Sequence, residues 1–123
     1  MSRHSDYGRV ALRAFFAIAK QWELNDIERL QLLGQTDRDV VDAWVNGEGP
    51  DIGKDTLERI SYILGIFKAI NILLPIPERA NAWMRKPNQA PIFRGQSAIE
   101  RMTAGNVSDL YVVRRYLDAE IND

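Results

Sequence analysis

With 123 residues, the chain has room for one domain, or for two small subdomains around a shared core; 46% apolar and 27% charged residues are ordinary globular usage and exclude disorder along the whole length. Sixteen basic and seventeen acidic side chains give a net charge of −1, which argues against coating duplex DNA by charge alone while leaving room for a locally basic surface. There is no cysteine and one histidine, His4, so disulfide scaffolds, thiolate metal sites, cysteine nucleophiles, Ser-His-Asp triads and multi-histidine metal sites have no place here. No apolar run approaches the roughly 18 residues of a membrane span, and no continuous hydrophobic signal region opens the chain; both predict a cytoplasmic protein without membrane attachment.

The periodicity is helical from end to end. Tyr7, Val10, Ala11, Ala14, Phe15, Ile18 and Trp22 recur at helical spacing and predict an amphipathic first helix over 7–22, with Arg9, Arg13 and Lys20 largely off the stripe. Asn25 followed by Glu28 has capping-box spacing and opens a short second helix carrying Ile27, Leu30 and Leu33, which Gly34 ends. Thr36 with Asp39 is expected to open a third helix over 36–45 bearing Val40, Val41, Trp44 and Val45; three glycines and a proline between Gly47 and Gly53 then read as loop. Asp55 with Glu58 predicts the cap of a fourth helix over 56–74. Its apolar residues wrap most of the circumference, as in a central pillar joining two halves or part of an oligomer interface.

Pro75 and Pro77 stop that helix. A short helix over 78–85 follows, then a loop from Lys86 to Gly95 with two prolines. Ser97 with Glu100 matches a capping box, Gly105 is expected to end that helix, and Ser108 to start a last one running toward Asp123 with Leu110, Val113, Leu117 and Ile121 on one face. Trp22 and Trp44 fall at core positions. The expected class is all-α.

Residues 26–45 have the plan of a helix-turn-helix: a short helix, a tight Gly34-Gln35 turn and a second helix whose first residues would meet base edges in a major groove. Thr36, Arg38, Asp39 and Asp42 are the candidate DNA-binding residues. Arg38 is the lone cation among them, and residues 1–50 carry six basic against eight acidic side chains, so phosphate meets repulsion there. Binding would need a dimer that pools Arg3, Arg9, Arg13 and Lys54 around a weakly basic rim. The glycines at 47–53 follow a helix rather than a strand and lie beside Glu48 and Asp51, which speaks against a nucleotide loop. Asp37, Asp39 and Asp42 lack calcium-loop spacing. No carboxylate pair stands in a recognisable catalytic frame, and neither an enzyme nor a cofactor is expected.

Residues 83–105 read W-x(4)-N-x(4)-F-x-G-x-S-x(7)-G, using Trp83, Asn88, Phe93, Gly95, Ser97 and Gly105. This stretch resembles the toxin-binding domain of Xre/MbcA/ParS-type antitoxins. Leu32-Leu33-Gly34, Trp44 and the run from Leu57 to Ile66 resemble the Xre-like helical region of the same proteins. The resemblance implies an Xre-like helix-turn-helix region over 1–74 and a small helical toxin-binding region over 75–123. It also implies a partner: a RES-domain toxin that degrades NAD, held in a hetero-oligomeric complex containing an antitoxin homodimer, with the active site blocked and the operon's own promoter as a further target. The alternative is a helix-turn-helix repressor with no toxin partner.

Two readings of the motif residues stand side by side. Trp83 and Phe93 anchor a loop to the core or touch toxin; Asn88 stabilises a turn; Gly95 supplies a positive φ. In the last helix Arg114, Arg115 and Tyr116 lie beside the apolar stripe and are the residue types in which binding energy concentrates. The acidic tail, Asp118, Glu120 and Asp123, has the charge to stand in for NAD phosphates in a cationic pocket, or it is solvated.

Overall fold

The computed structural model describes the backbone from Arg3 to Asp123 and side chains from Asp6 onward; the side chains of Arg3 and His4 lie outside the described residues. The described residues form seven helices and no strand: α1 (Arg3–Gln21), α2 (Asp26–Leu33), α3 (Arg38–Val45), α4 (Lys54–Leu73), α5 (Pro77–Trp83), α6 (Ala98–Met102) and α7 (Val107–Asn122).

Helix α4 is the axis. Its residues Ile60, Ile63, Ile66, Ala69 and Ile70 are buried, and it packs chiefly against α7 and α1, with α2 and α5 at its sides. The all-round apolar pattern is thus absorbed mainly within the chain. Phe15 and Ile18 of α1, Trp22 just after it, Leu32 and Leu33 of α2, Trp44 of α3 and Leu110, Val113 and Leu117 of α7 join one continuous core. Trp44 closes its indole N–H onto the Pro50 carbonyl at 2.8 Å, which ties down the glycine-rich loop after α3. The expected stripe on α1 holds from Ala11 onward, but Tyr7 and Val10 stay 65% and 62% exposed, because among the described residues none covers the first turns of that face.

The caps decide the short helices. Asn25 accepts from the Glu28 amide at 2.8 Å while its own amide donates to the Glu28 carboxylate at 3.0 Å, the reciprocal pair predicted from sequence. Ser97 and Glu100 do the same for α6 at 3.1 and 3.0 Å. Gly34 ends α2 at φ +68°, a left-handed conformation that penalises a side chain.

Other predicted starts move. Thr36 lies before α3, and Asp37 is the cap, its carboxylate accepting from the Asp39 amide at 2.9 Å. Asp55 does not cap α4: the helix begins at Lys54 after Gly53, and the Asp55 carboxylate accepts from Arg59 Nε at 2.9 Å. Helix α5 stops at Trp83, where Arg85 and Lys86 close tight turns onto the Ala82 and Trp83 carbonyls at 3.1 and 3.2 Å. Helix α6 ends at Met102, ahead of Gly105, and α7 starts at Val107, because the Asn106 amide finds the Asp109 carboxylate at 3.0 Å. At the starts of α3 and α7 an aspartate beside the predicted position takes the helix-end amide.

Candidate partner-binding surface

Between α5 and α6, residues 84–97 form a loop held in three ways. The Asn88 side chain accepts from the Ala90 amide at 2.9 Å, an Asx turn, while the Asn88 main chain pairs with Gln96 and Gly95, both at 3.0 Å. Gly95 sits at φ +83° with open space where a Cβ would be, so its requirement is conformational rather than steric. Phe93 is fully buried and packs edge-on between Trp83 and Tyr116, with ring centroids at 5.9 and 5.2 Å. That stack fastens the loop to both α5 and α7.

Arginines fasten the rest. Arg85 reaches Glu28 with both terminal nitrogens, at 2.7 and 2.9 Å, and also donates to the Trp22 and Glu23 carbonyls at 3.0 and 2.9 Å. Its hydrogen bond holds the Glu28 carboxyl below the usual carboxylate range. Arg101 pairs with the buried Asp109, the residue that also caps α7, and donates to the Ile92 carbonyl at 3.2 Å. Arg59, buried on α4, donates to the Gly105 carbonyl at 3.3 Å and lies against Gly34, where a Cβ would come within 2.5 Å of its Nε. One guanidinium thus spans the α2–α3 turn and the entry to α7.

On α7, Leu110, Val113 and Leu117 face inward, leaving a polar and aromatic strip outward. Arg114 lies across Gly65 of α4, where any Cβ would strike its guanidinium, and pairs with Asp118 at 3.6 Å. Arg115 is solvent-facing, 3.1 Å from the Tyr111 hydroxyl and over its ring. Burial raises the pKa of the half-buried Tyr116 phenol, with Glu120 adding to it. Glu120 and Asp123 are exposed, and α7 stays helical through Asn122, whose side chain donates to the Asp118 carbonyl at 2.9 Å.

Residues 69–120 match the antitoxin Xre/MbcA/ParS C-terminal toxin-binding domain. Over 121 residues, 97% of this chain and 92% of the relative, the sequence is 45% identical to the uncharacterized protein y4oB of Sinorhizobium fredii (strain NBRC 101917 / NGR234). Over residues 69–120 the chain carries the toxin-binding domain of the Xre/MbcA/ParS antitoxins. Its toxin-binding domain begins within α4 and takes in the stapled loop and most of α7.

Within that domain, Trp83, Asn88, Phe93 and Gly95 are brought together as one platform. Arg114, Arg115, Tyr116, Asp118 and Glu120 follow along α7, and Asp123 lies just past its end and past the matched domain; Arg115, Glu120 and Asp123 are exposed. The N-terminal candidates form a separate acidic surface. Thr36, Arg38, Asp39 and Asp42 are exposed, and Arg38 is paired with Asp26 of α2. The helical pair α2–α3 is compatible with a helix-turn-helix. The sequence reading missed Arg59, Arg85 and Arg101, whose partners lie 46, 57 and 8 residues away. The one local hint was Gly34, which marks a close approach without naming what approaches. No described helix is long and apolar enough to cross a membrane.

Proposed function

We propose that this chain is a cytoplasmic antitoxin that binds a RES-domain, NAD-degrading toxin and blocks access to its active site, with no enzymatic activity or cofactor of its own. The observation that carries the reading is the toxin-binding domain match over 69–120. Residues 75–123 act as the toxin-binding region. Trp83, Asn88, Phe93 and Gly95 build the platform; Arg114, Arg115 and Tyr116 make contacts; and Asp118, Glu120 and Asp123 offer carboxylates to a pocket built for two phosphates. Residues 1–74 form the Xre-like region, through which a homodimer enters the hetero-oligomeric complex.

The spacing of α2 and α3 also supports operator binding by that complex, which would regulate its own synthesis. Arg38 enters such an interface only by leaving Asp26, so phosphate attraction falls to Arg9, Arg13 and Lys54 pooled from two copies. A steep fall of operator affinity with salt is the expected signature.

The test is co-expression with a RES-domain enzyme, followed by size-exclusion chromatography and an NAD-consumption assay. A stable complex with NAD loss suppressed is expected, and deletion of residues 118–123 or Arg115→Ala should weaken inhibition by about tenfold or more. Absence of a complex with undiminished NAD loss overturns the reading; full inhibition by the truncated chain removes the acidic tail from it.

A further inference from the structure

The loop between α5 and α6 turns back at Phe93-Arg94-Gly95-Gln96, where the Gln96 amide donates to the Phe93 carbonyl at 2.8 Å. Arg94 and Gly95 take the two central positions, at φ +51° and +83°. Two positive values in succession are those of a type I′ turn, whose first central position suits glycine, asparagine or aspartate and strains other side chains. Among the described residues, the other non-glycine residue at positive φ is Glu23, at +55°, and it has a local reason. It ends α1, where the Glu23 and Leu24 amides close onto the Lys20 and Ala19 carbonyls at 3.2 and 2.9 Å. Arg94 stands at no helix end. Its side chain is exposed, and among the described residues it makes no hydrogen bond, ion pair or ring contact.

Arg94 lies on an open groove of about 400 Å³ between this loop, the end of α6 and α7. Pro91, Ile92, Ala104 and Val112 give it apolar walls, and Arg94 and Arg101 give it charge. Asp109 matches Arg101, and no carboxylate lines the groove to match Arg94. One turn along α7 from Val112, the exposed Arg115 is bonded to the Tyr111 phenol at 3.1 Å, which leaves its charge unmatched too.

We infer that Arg94 is a docking residue: the turn tolerates its strain because the guanidinium is presented, beside this apolar groove, to a carboxylate on an acidic segment of the toxin. The inference rests on the proposed toxin reading and adds to it a second contact surface and the chemistry of what that surface receives. Strained non-glycine residues of this kind gather where a side chain serves binding, and a guanidinium fork matches a carboxylate. A nucleic-acid backbone fits less well, since tracking it takes a series of cations and gains nothing from apolar walls.

Three variants separate the turn from the charge. Arg94→Asn and Arg94→Asp both suit the turn while removing or reversing the charge, and Arg94→Lys keeps charge and strain. The thermal midpoint of Arg94→Asn should rise by about 2–4 °C. Its affinity for the purified RES-domain enzyme, measured by titration calorimetry without NAD, should fall about tenfold or more. Arg94→Asp should bind more weakly still, and Arg94→Lys should keep the wild-type midpoint and bind between wild type and Arg94→Asn. A residue that serves only the fold would not move stability and affinity in opposite directions. A midpoint of Arg94→Asn at or below wild type overturns the inference whatever the toxin does. A raised midpoint with unchanged affinity overturns the docking role and leaves the toxin reading standing. A wild-type chain that does not bind the enzyme overturns that reading, and this inference with it.

Discussion

The α2–α3 pair and the α5–α6 segment that leads into α7 are both built from short helices, yet they are held by different means. Helices of five to eight residues are not stable alone in water. In α2–α3 the helix ends are set locally, with Asn25 and Glu28 capping one helix, Asp37 the next and Gly34 turning between them, and Thr56 of α4 then ties the turn by donating to the Leu33 carbonyl at 3.0 Å. In α5–α7 the support crosses the chain, through the Trp83–Phe93–Tyr116 stack, the Arg101–Asp109 pair and the Arg85 clamp onto Glu28. The difference teaches why the second region can carry an extended loop. A loop of this length needs anchors from distant elements, and a chain without cysteine supplies them with aromatic edges and guanidinium forks.

The largest expected effect breaks the long-range side of that contrast. Phe93→Ala empties a fully buried position between two rings and should cost about 3–5 kcal/mol in chemical denaturation, with toxin binding lost alongside. A cost under about 1 kcal/mol would mean that the stack does not anchor the loop.

A smaller effect tests whether the two regions are joined. Gly34→Ala places a Cβ against Arg59 at a positive φ and should cost about 2 kcal/mol. In an Arg59→Ala background the atoms that the Cβ would strike are gone and only the backbone part remains. A double-mutant cycle should therefore show coupling above roughly 0.5 kcal/mol, and strict additivity would separate the α2–α3 turn from the entry to α7.

The smallest effect is in pH. The Glu28 pKa is lowered in the folded chain, first by its hydrogen bond from Arg85. A depressed carboxyl contributes stability that is present above the unfolded value, roughly 4.3, and is lost as pH falls through the folded value. The Arg85 side chain is 40% exposed, so solvent screening keeps the contribution to about 0.5–1 kcal/mol. Glu28→Gln should lower stability at pH 7 by that amount and flatten this part of the decline below about pH 4.3. An unchanged acid limb in the variant would show that the Arg85 clamp acts through the Trp22 and Glu23 carbonyls alone.

Legibility followed the range of the interactions. The α2 and α6 starts were readable because each capping box lies within four consecutive residues, and α4 was readable as the pillar because its apolar residues circle the helix. The misplaced starts at Thr36, Asp55 and Ser108 share a cause: several polar residues stood within reach of each helix end, and spacing alone does not choose among them. Asp55 was drawn to Arg59, and Asp109 serves both Asn106 and Arg101. The exposure of Tyr7 and Val10 was not readable either, since periodicity states which face is apolar and is silent on what covers it.

By itself, then, the sequence determined the helical class, the order of the elements, the core tryptophans and the family motif, because 3.6-residue periodicity, turn glycines and capping boxes are local properties of the chain. Tertiary structure alone decided that one buried arginine touches both the α2–α3 turn and the entry to α7, that Phe93 is a packing residue, and that Arg38 is already paired. Those outcomes depend on which distant groups meet in space, and a long, flexible guanidinium finds its partner only after the helices have packed.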